Sequence, residues 1–149
     1  MVKKNDRLIL VAGASGQQGG AVLRHLREKN FPIRALTRDT TGAKARALMT
    51  PGVELATGDL ENPASLVRAL DGVYGVYSVQ AFTSDSESEI RQGNNLIDAA
   101  TRAGVRQFVY SSVVSADKTP AFPISRAKAK LKNTFGQQVS RTPFFVRHS

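Results

Sequence analysis

At 149 residues with no cysteine, the chain is long enough for one domain with a real core and holds neither a disulfide framework nor a thiolate metal site. No apolar run approaches the roughly twenty residues of a membrane span, and the opening Met1-Val2-Lys3-Lys4 leads into a strand, not a signal peptide, so the expected location is cytoplasmic, with no membrane partner. A net charge of +9 would ordinarily point to an anionic partner, but residues 1–121 carry a balance of only +3, while residues 122–149 hold six basic residues and no acid.

The first predicted element is a short apolar run, residues 7–12, that ends in glycines and is followed by a helical pattern with Val22, Leu23 and Leu26 on one face. A buried strand, a tight turn and a helix N-terminus follow from that order. The spacing is Gly13-x-x-Gly16-x-x-Gly19, which differs from the G-x-G-x-x-G fingerprint of dinucleotide folds. Glycines there let the backbone turn sharply and let a pyrophosphate reach the free N–H groups of the helix. His25, between Arg24 and Arg27, reads as solvated helix surface.

Residues 32–37 form the second strand, which ends at Arg38-Asp39, about twenty residues past the glycines, where such folds meet the adenosine ribose. An acid there would bond the 2′-hydroxyl and an arginine would pair with a 2′-phosphate; with Arg38 first, the position leans to NADP and leaves NAD open. A short helix over 41–48 stops at Pro51-Gly52, and a third strand at 53–57 runs into Gly58-Asp59-Leu60. Asn62-Pro63 reads as a helix start with Asn as the N-cap, and residues 72–79 read as the fourth strand. Ser86-x-x-Glu89 has the form of a capping box for a helix with Ile90, Gly93, Ile97 and Ala100 on one face, ending at Gly104. A fifth strand is predicted over 107–112.

Alternation of strands with crossovers of helical length means a doubly wound, Rossmann-like α/β domain over residues 1–115, a parallel sheet of about five strands with its ligand crevice at their C-terminal ends. Gly13 to Gly16, Arg38, Asp59, Ser78 to Gln80, and Ser111 with Ser112 all fall on that edge. Their convergence outweighs any single motif.

The segments Gly-Ala-Ser-Gly-Gln-Gln-Gly-Gly (13–20), Thr-Arg-Asp (37–39), Gly-Asp-Leu (58–60), Arg-Gln-Gly-Asn-Asn-Leu-Ile-Asp-Ala-Ala (91–100) and Phe-Val-Tyr-Ser-Ser (108–112) resemble the NmrA-like family of atypical short-chain dehydrogenase/reductase proteins. The resemblance covers roughly residues 7–115. It implies NADP binding, with NAD possible: phosphates at Gly13, Ala14, Ser15, Gly16 and Gln17 with Gly19 behind them, the 2′-phosphate near Arg38, and adenine near Asp59 and Leu60. Ser78, Gln80 and Ser111 complete the implied set, with no metal. The family includes NADPH-dependent reductases and regulators that bind the cofactor without turning it over. The resemblance therefore implies a parent oxidoreductase of a carbonyl or quinone, with a redox sensor acting through a regulatory protein partner as the alternative.

Enzymes of the family need Tyr-x-x-x-Lys, or a variant starting with His, in which the first residue protonates the nascent alkoxide and the Lys lowers its pKa. Tyr74, Tyr77 and Tyr110 are followed four positions on by Ser78, Ala81 and Val114, and the one His that fits the count, His25 with Lys29, sits on the first helix. No catalytic residue is assigned, and the chain is expected to lack reductase activity.

The basic tail, 116–149, matches no element of the family pattern as it stands. Read one base back from codon 121, with only wobble bases free, it permits Gly-Ile-Pro-His-Phe-Glu-Ser-Lys followed by Gly-Lys-Ile-Glu-Glu-His-Ile-Arg-Ala-Thr-Gly-Leu-Pro-Tyr-Thr-Ile-Leu-Arg-Pro-Ala-Leu. That is a His-x-x-x-Lys dyad at the places of Ile124 and Lys128, an amphipathic helix, a glycine stop and a strand. The expectation is a frameshifted or truncated chain with a poorly ordered tail. Lys128, Lys130 and Lys132 could touch phosphates nonspecifically, but base-stacking aromatics at useful spacing are lacking, so no specific nucleic-acid partner is expected.

Overall fold

The computed structural model of the chain describes residues 6–79 and 86–111. Five strands and four helices alternate: β1 (Ile9–Ala12), α1 (Gln17–Glu28), β2 (Ile33–Thr37), α2 (Ala43–Leu48), β3 (Val53–Thr57), α3 (Pro63–Ala69), β4 (Gly75–Ser78), α4 (Ser86–Arg102) and β5 (Gln107–Tyr110). The strands form one sheet in the order β3-β2-β1-β4-β5, and every pairing is parallel. The order reverses beside β1, which pairs with β2 on one side and β4 on the other. A crevice opens where chain connections leave those neighbours in opposite directions.

Two apolar clusters cover the two faces. On one, Leu10, Ala12, Val76, Phe108 and Tyr110 of the sheet pack with Leu66, Leu70, Leu96, Ile97 and Ala100 under α3 and α4. On the other, Val11, Ile33 and Ala35 pack with Leu23 under α1, joined by the half-buried Leu26 and Leu48. β1 belongs to both, since Leu10 and Val11 point opposite ways and both are fully buried. A buried parallel strand reads as a continuous apolar run for this reason.

Arg34 ties three elements together from the middle of β2. Its Nε donates to Glu54 Oε1 at 2.6 Å on β3, its register partner, and its Nη1 donates to the Ala69 and Asp71 carbonyls at the end of α3. Asn62 sits at the N-cap of α3 with Pro63 behind it, as the sequence predicts, but its side chain makes no capping bond. The Ser65 hydroxyl fills the turn instead, accepting from the Asp59 N–H at 2.8 Å and lying 2.7 Å from the Asn62 carbonyl. The fourth strand is shorter than predicted because Gly72 takes φ +71 in a turn before it. The Ser86 side chain, half of the predicted capping box, lies outside the described residues, as do Ser112 and the tail.

Candidate cofactor site

The loop between β1 and α1 is built around two glycines with different duties. Gly13 has φ +76, and a Cβ there would stand 2.7 Å from the Val79 carbonyl oxygen, so both the turn and its neighbour require glycine. Gly19 is buried, and a Cβ there would fall on the Gly13 carbonyl; it sets how closely α1 packs against the loop. Gly16, between them, is the N-cap residue of α1 with ordinary extended backbone, φ −84 and ψ 174. No side chain caps this helix and its first turn carries no acid. Among the described residues the amides of Gln17 and Gln18 find no acceptor, while Gly20 N–H returns to the Gly16 carbonyl at 2.9 Å. Open N–H groups at an uncapped, acid-free helix N-terminus favour an anion.

The other predicted residues divide by exposure. Ser15, Gly16 and Gln17 are exposed on the loop, whereas Ala14 is buried and can contribute only its backbone. Arg38 stands exposed just past β2, with no partner among the described residues. Asp39 is already committed: its Oδ1 accepts from the Thr41 hydroxyl at 2.6 Å and the Thr41 N–H at 2.8 Å. Those two bonds hold its carboxyl below the usual carboxylate range. Asp59 Oδ1 accepts the Glu61 N–H at 2.9 Å, and the Leu60 carbonyl accepts the Asn95 side-chain amide at 2.8 Å, so this loop is pinned from both sides. Ser78 differs from expectation: it is fully buried at the end of β4, and it has no surface to offer a ligand. Its carbonyl receives the Ser111 N–H at 2.9 Å and so holds the exit of β5 beside that of β4. Ser111 itself is half-buried at the edge. Gln80 lies outside the described residues.

Three features escape the sequence reading. Beside the glycine loop, between α1 and α2, lies a cavity of about 390 Å³ lined by Ser15, Gly16, Arg24, Arg27 and Lys44 among others, with no acid in its wall. Arg24 and Arg27 follow Gly20 at helical spacing, which places them on the face turned to α2 rather than on solvated surface alone. The segment 91–95 is a brace: Arg91 Nε donates to Glu61 Oε2 at 2.7 Å, Gln92 Nε2 to Glu61 Oε1 at 3.0 Å, and Asn95 reaches Leu60. Gly93 completes it, since a Cβ there would stand 3.2 Å from the Tyr110 ring. Finally, the Gln18 side-chain amide donates to Ser111 Oγ at 2.5 Å, linking residues 93 positions apart from α1 to the exit of β5.

The NmrA-like family model matches residues 5–145, which takes in most of the basic tail as well as the described domain. The chain belongs to the NmrA-like family. It is 40% identical over 119 residues to an NAD(P)H azoreductase of Xenophilus azovorans, a match covering 80% of this chain and 40% of that protein. Among solved structures it is similar to a Citrobacter sp. triphenylmethane reductase complexed with NADP(H), at 32% identity and TM-score 0.69 over 85% of this chain and 44% of that one. An NADPH-dependent quinone oxidoreductase of Escherichia coli complexed with NADPH matches at 31% identity and TM-score 0.65, over 84% of this chain and 43% of its own. The chain thus spans less than half the length of each of these relatives. Parallel strands, helices on both faces and the glycine turn agree with the expected Rossmann-like fold.

Among the described residues no helix is long and apolar enough to cross a membrane, and no cluster of three or more His, Cys, Asp or Glu could hold a metal ion.

Proposed function

We propose that this chain is the cofactor-binding part of an NADPH-dependent oxidoreductase whose acceptor is a quinone, carbonyl or dye-like conjugated small molecule. The observation that carries the reading is the β1–α1 junction at the topological switch point: a Gly13 turn with positive φ, an exposed Gly16, and a helix N-terminus whose Gln17 and Gln18 amides find no acceptor among the described residues. A pyrophosphate fits there because charge and N–H direction agree. Arg38 is exposed and has no partner among the described residues, while Thr41 holds one carboxylate oxygen of Asp39, so the ribose position favours a cation for a 2′-phosphate over an acid for a 2′-hydroxyl. The reductases similar to it bind NADP(H) or NADPH, in agreement with that choice.

When bound, the dinucleotide supplies a hydride donor; this chain's residues bind and orient it. The Gln17 and Gln18 amides would hold its phosphates, and Arg38 and Asp59, past the ends of β2 and β3, would hold its adenosine half. Adding a branched side chain at Gly16 fills the approach to those amides while leaving backbone that any residue can adopt. Isothermal titration of the full chain with NADPH is expected to show binding that Gly16→Val abolishes while the chain stays folded at a somewhat lower melting temperature, because the new Cβ stands 3.3 Å from the Gly13 carbonyl oxygen and Val is a poor N-cap. Equal affinity for both proteins would make the glycine loop purely structural.

A further inference from the structure

The cavity between α1 and α2 joins two kinds of wall. Its floor is apolar: Leu23 and Leu48 line it and belong to the core cluster under those helices, so packing against the sheet fixes them. Its rim is cationic, with Arg24 and Arg27 three residues apart on α1 and Lys44 on the α2 side. No carboxylate lines the cavity. Among the described residues none of these three cations is in an ion pair, whereas Arg34 and Arg91 hold Glu54 and Glu61. Arg24 also folds back along its helix, for its Nη1 lies 3.6 Å from where a Cβ on Gly20 would stand. Three like charges around a volume of about 390 Å³ repel one another, and an anion among them relieves that repulsion. Small-molecule sites typically have volumes of roughly 300–1,000 Å³.

We infer that this cavity is a second anion site, separate from the dinucleotide's, that takes a small organic anion with an apolar body and one carboxylate or sulfonate head. The floor asks for the body and the rim for the head. An inorganic anion would leave Leu23 and Leu48 uncovered, and a neutral apolar molecule would leave the cations unpaired. Arg38, Asp59 and Gln17 do not line the cavity, so the side chains assigned to the dinucleotide stand outside it. Ser15 and Gly16 do line it, and both are exposed on the glycine loop. An anion held against that loop repels a pyrophosphate bound on its other side. Occupancy therefore weakens NADPH binding, and by linkage NADPH weakens the anion by the same factor. This coupling rests on the cofactor reading above; the site itself does not.

The probe is naphthalene-2-sulfonate, titrated calorimetrically into the full chain, with inorganic sulfate as the head group alone. It is expected to bind with one molecule per chain and roughly tenfold or more tighter than sulfate, because only the probe covers the floor. Arg27→Gln and Lys44→Gln are each expected to weaken the probe roughly fivefold, while NADPH affinity in the same variants shifts by less than about twofold. Arg38→Ala is expected to leave the probe's affinity as it is. As probe is added, the apparent NADPH dissociation constant is expected to rise roughly three- to tenfold and then level off, as coupling between two separate sites requires. A rise with no plateau means that both ligands share one site and overturns the inference. So does an equal loss of probe and NADPH in Lys44→Gln, which would make the cavity an extension of the ribose-phosphate position. Equal affinity for sulfate and probe would indicate an adventitious ion only, and overturns it too. If NADPH binds and the probe does not, only this inference fails; if the probe binds and NADPH does not, the cofactor reading fails and the site stands without its coupling. Should a Gln variant not fold, Ala47→Glu replaces it, since Ala47 is exposed on the α2 wall and a carboxylate there pairs with the rim cations. Ala47→Glu is expected to abolish probe binding, and undiminished binding overturns the site.

Discussion

Arg38 and Asp39 are adjacent, opposite in charge and equally eligible for the ribose as long as only their order is known. What separates them is a local hydrogen-bond commitment: Thr41, two residues on, takes both of the bonds that Asp39 Oδ1 makes within the chain. Arg38→Ala is therefore expected to cost NADP binding roughly 1.5 kcal/mol, the lower end for a bond to a charged group because the side chain is exposed, and to leave NAD binding unchanged. Titration of both cofactors against both proteins checks it, and a wild type that prefers NAD would assign the ribose to Asp39. The glycines divide in a similar way. Spacing marks Gly13, Gly16 and Gly19 alike, yet only the carbonyl of Gly13 shows why Gly19 is a packing residue. Gly19→Ala has to move backbone rather than a flexible side chain, so a loss of about 3 kcal/mol in urea unfolding is expected, at the upper end for overpacking. The sequence could mark these positions because backbone conformation is written in residue type. It could not rank them, because contacts between residues six apart in a loop are not.

At the scale of elements, periodicity was enough to place nine segments, and it failed at the local bonding of the α3 start, where Asn62 makes no side-chain cap and the Ser65 hydroxyl ties the Asp59 N–H to the Asn62 carbonyl. α4 shows the same limit in a more useful form. Its 91–100 segment is among the most recognisable parts of the chain, and its polar residues Arg91, Gln92 and Asn95 all reach the 60–61 loop. That motif braces the 60–61 loop from behind, a role no spacing rule contains. The first turn of α4 also brings Glu89 toward the Tyr110 ring. Burial pushes the Glu89 carboxyl above its ordinary value, and burial together with the Glu89 charge pushes the Tyr110 hydroxyl up to about 12. A carboxyl raised in the folded state binds more protons there than in the unfolded chain. Its contribution to stability is thus fully present below the unfolded value near 4.5 and is lost as pH rises through the folded one. Glu89→Gln is expected to remove that part of the pH dependence and to raise stability at neutral pH relative to wild type. Urea unfolding from pH 4 to pH 8 reads both effects; parallel curves would mean Glu89 is as well solvated folded as unfolded.

At the scale of the molecule, the two sheet faces are not covered alike by the described residues. Under α3 and α4 the cluster runs from Leu36 on β2 to Phe108 and Tyr110 on β5 without a gap in the strand order. Under α1 and α2 the described residues of the cluster are built on β1, β2 and β3 and reach Tyr77 of β4. β5 records the difference in its alternation, with Phe108 and Tyr110 buried while Val109, turned to the other face, stays 39% exposed. The reading of codon 121 onward in the neighbouring frame supplies an amphipathic helix and a further strand, and Val109 can report whether such elements cover it. In the 149-residue chain Val109→Thr exchanges a methyl for a hydroxyl at an exposed position, and its effect is expected to stay within about 0.5 kcal/mol. In a longer chain continued one base back, a covered Val109 makes the same exchange bury a hydroxyl, at a cost of roughly 1–3 kcal/mol. If the neighbouring frame is the working one, that longer chain carries the His-x-x-x-Lys pair and is expected to oxidise NADPH with a quinone acceptor, and the 149-residue chain is expected not to. Urea unfolding of both pairs and NADPH absorbance with a quinone panel decide the matter together. A small Val109→Thr effect at both lengths, with NADPH oxidised by the 149-residue chain, would show that the face is open by nature and that the basic tail belongs to the working protein.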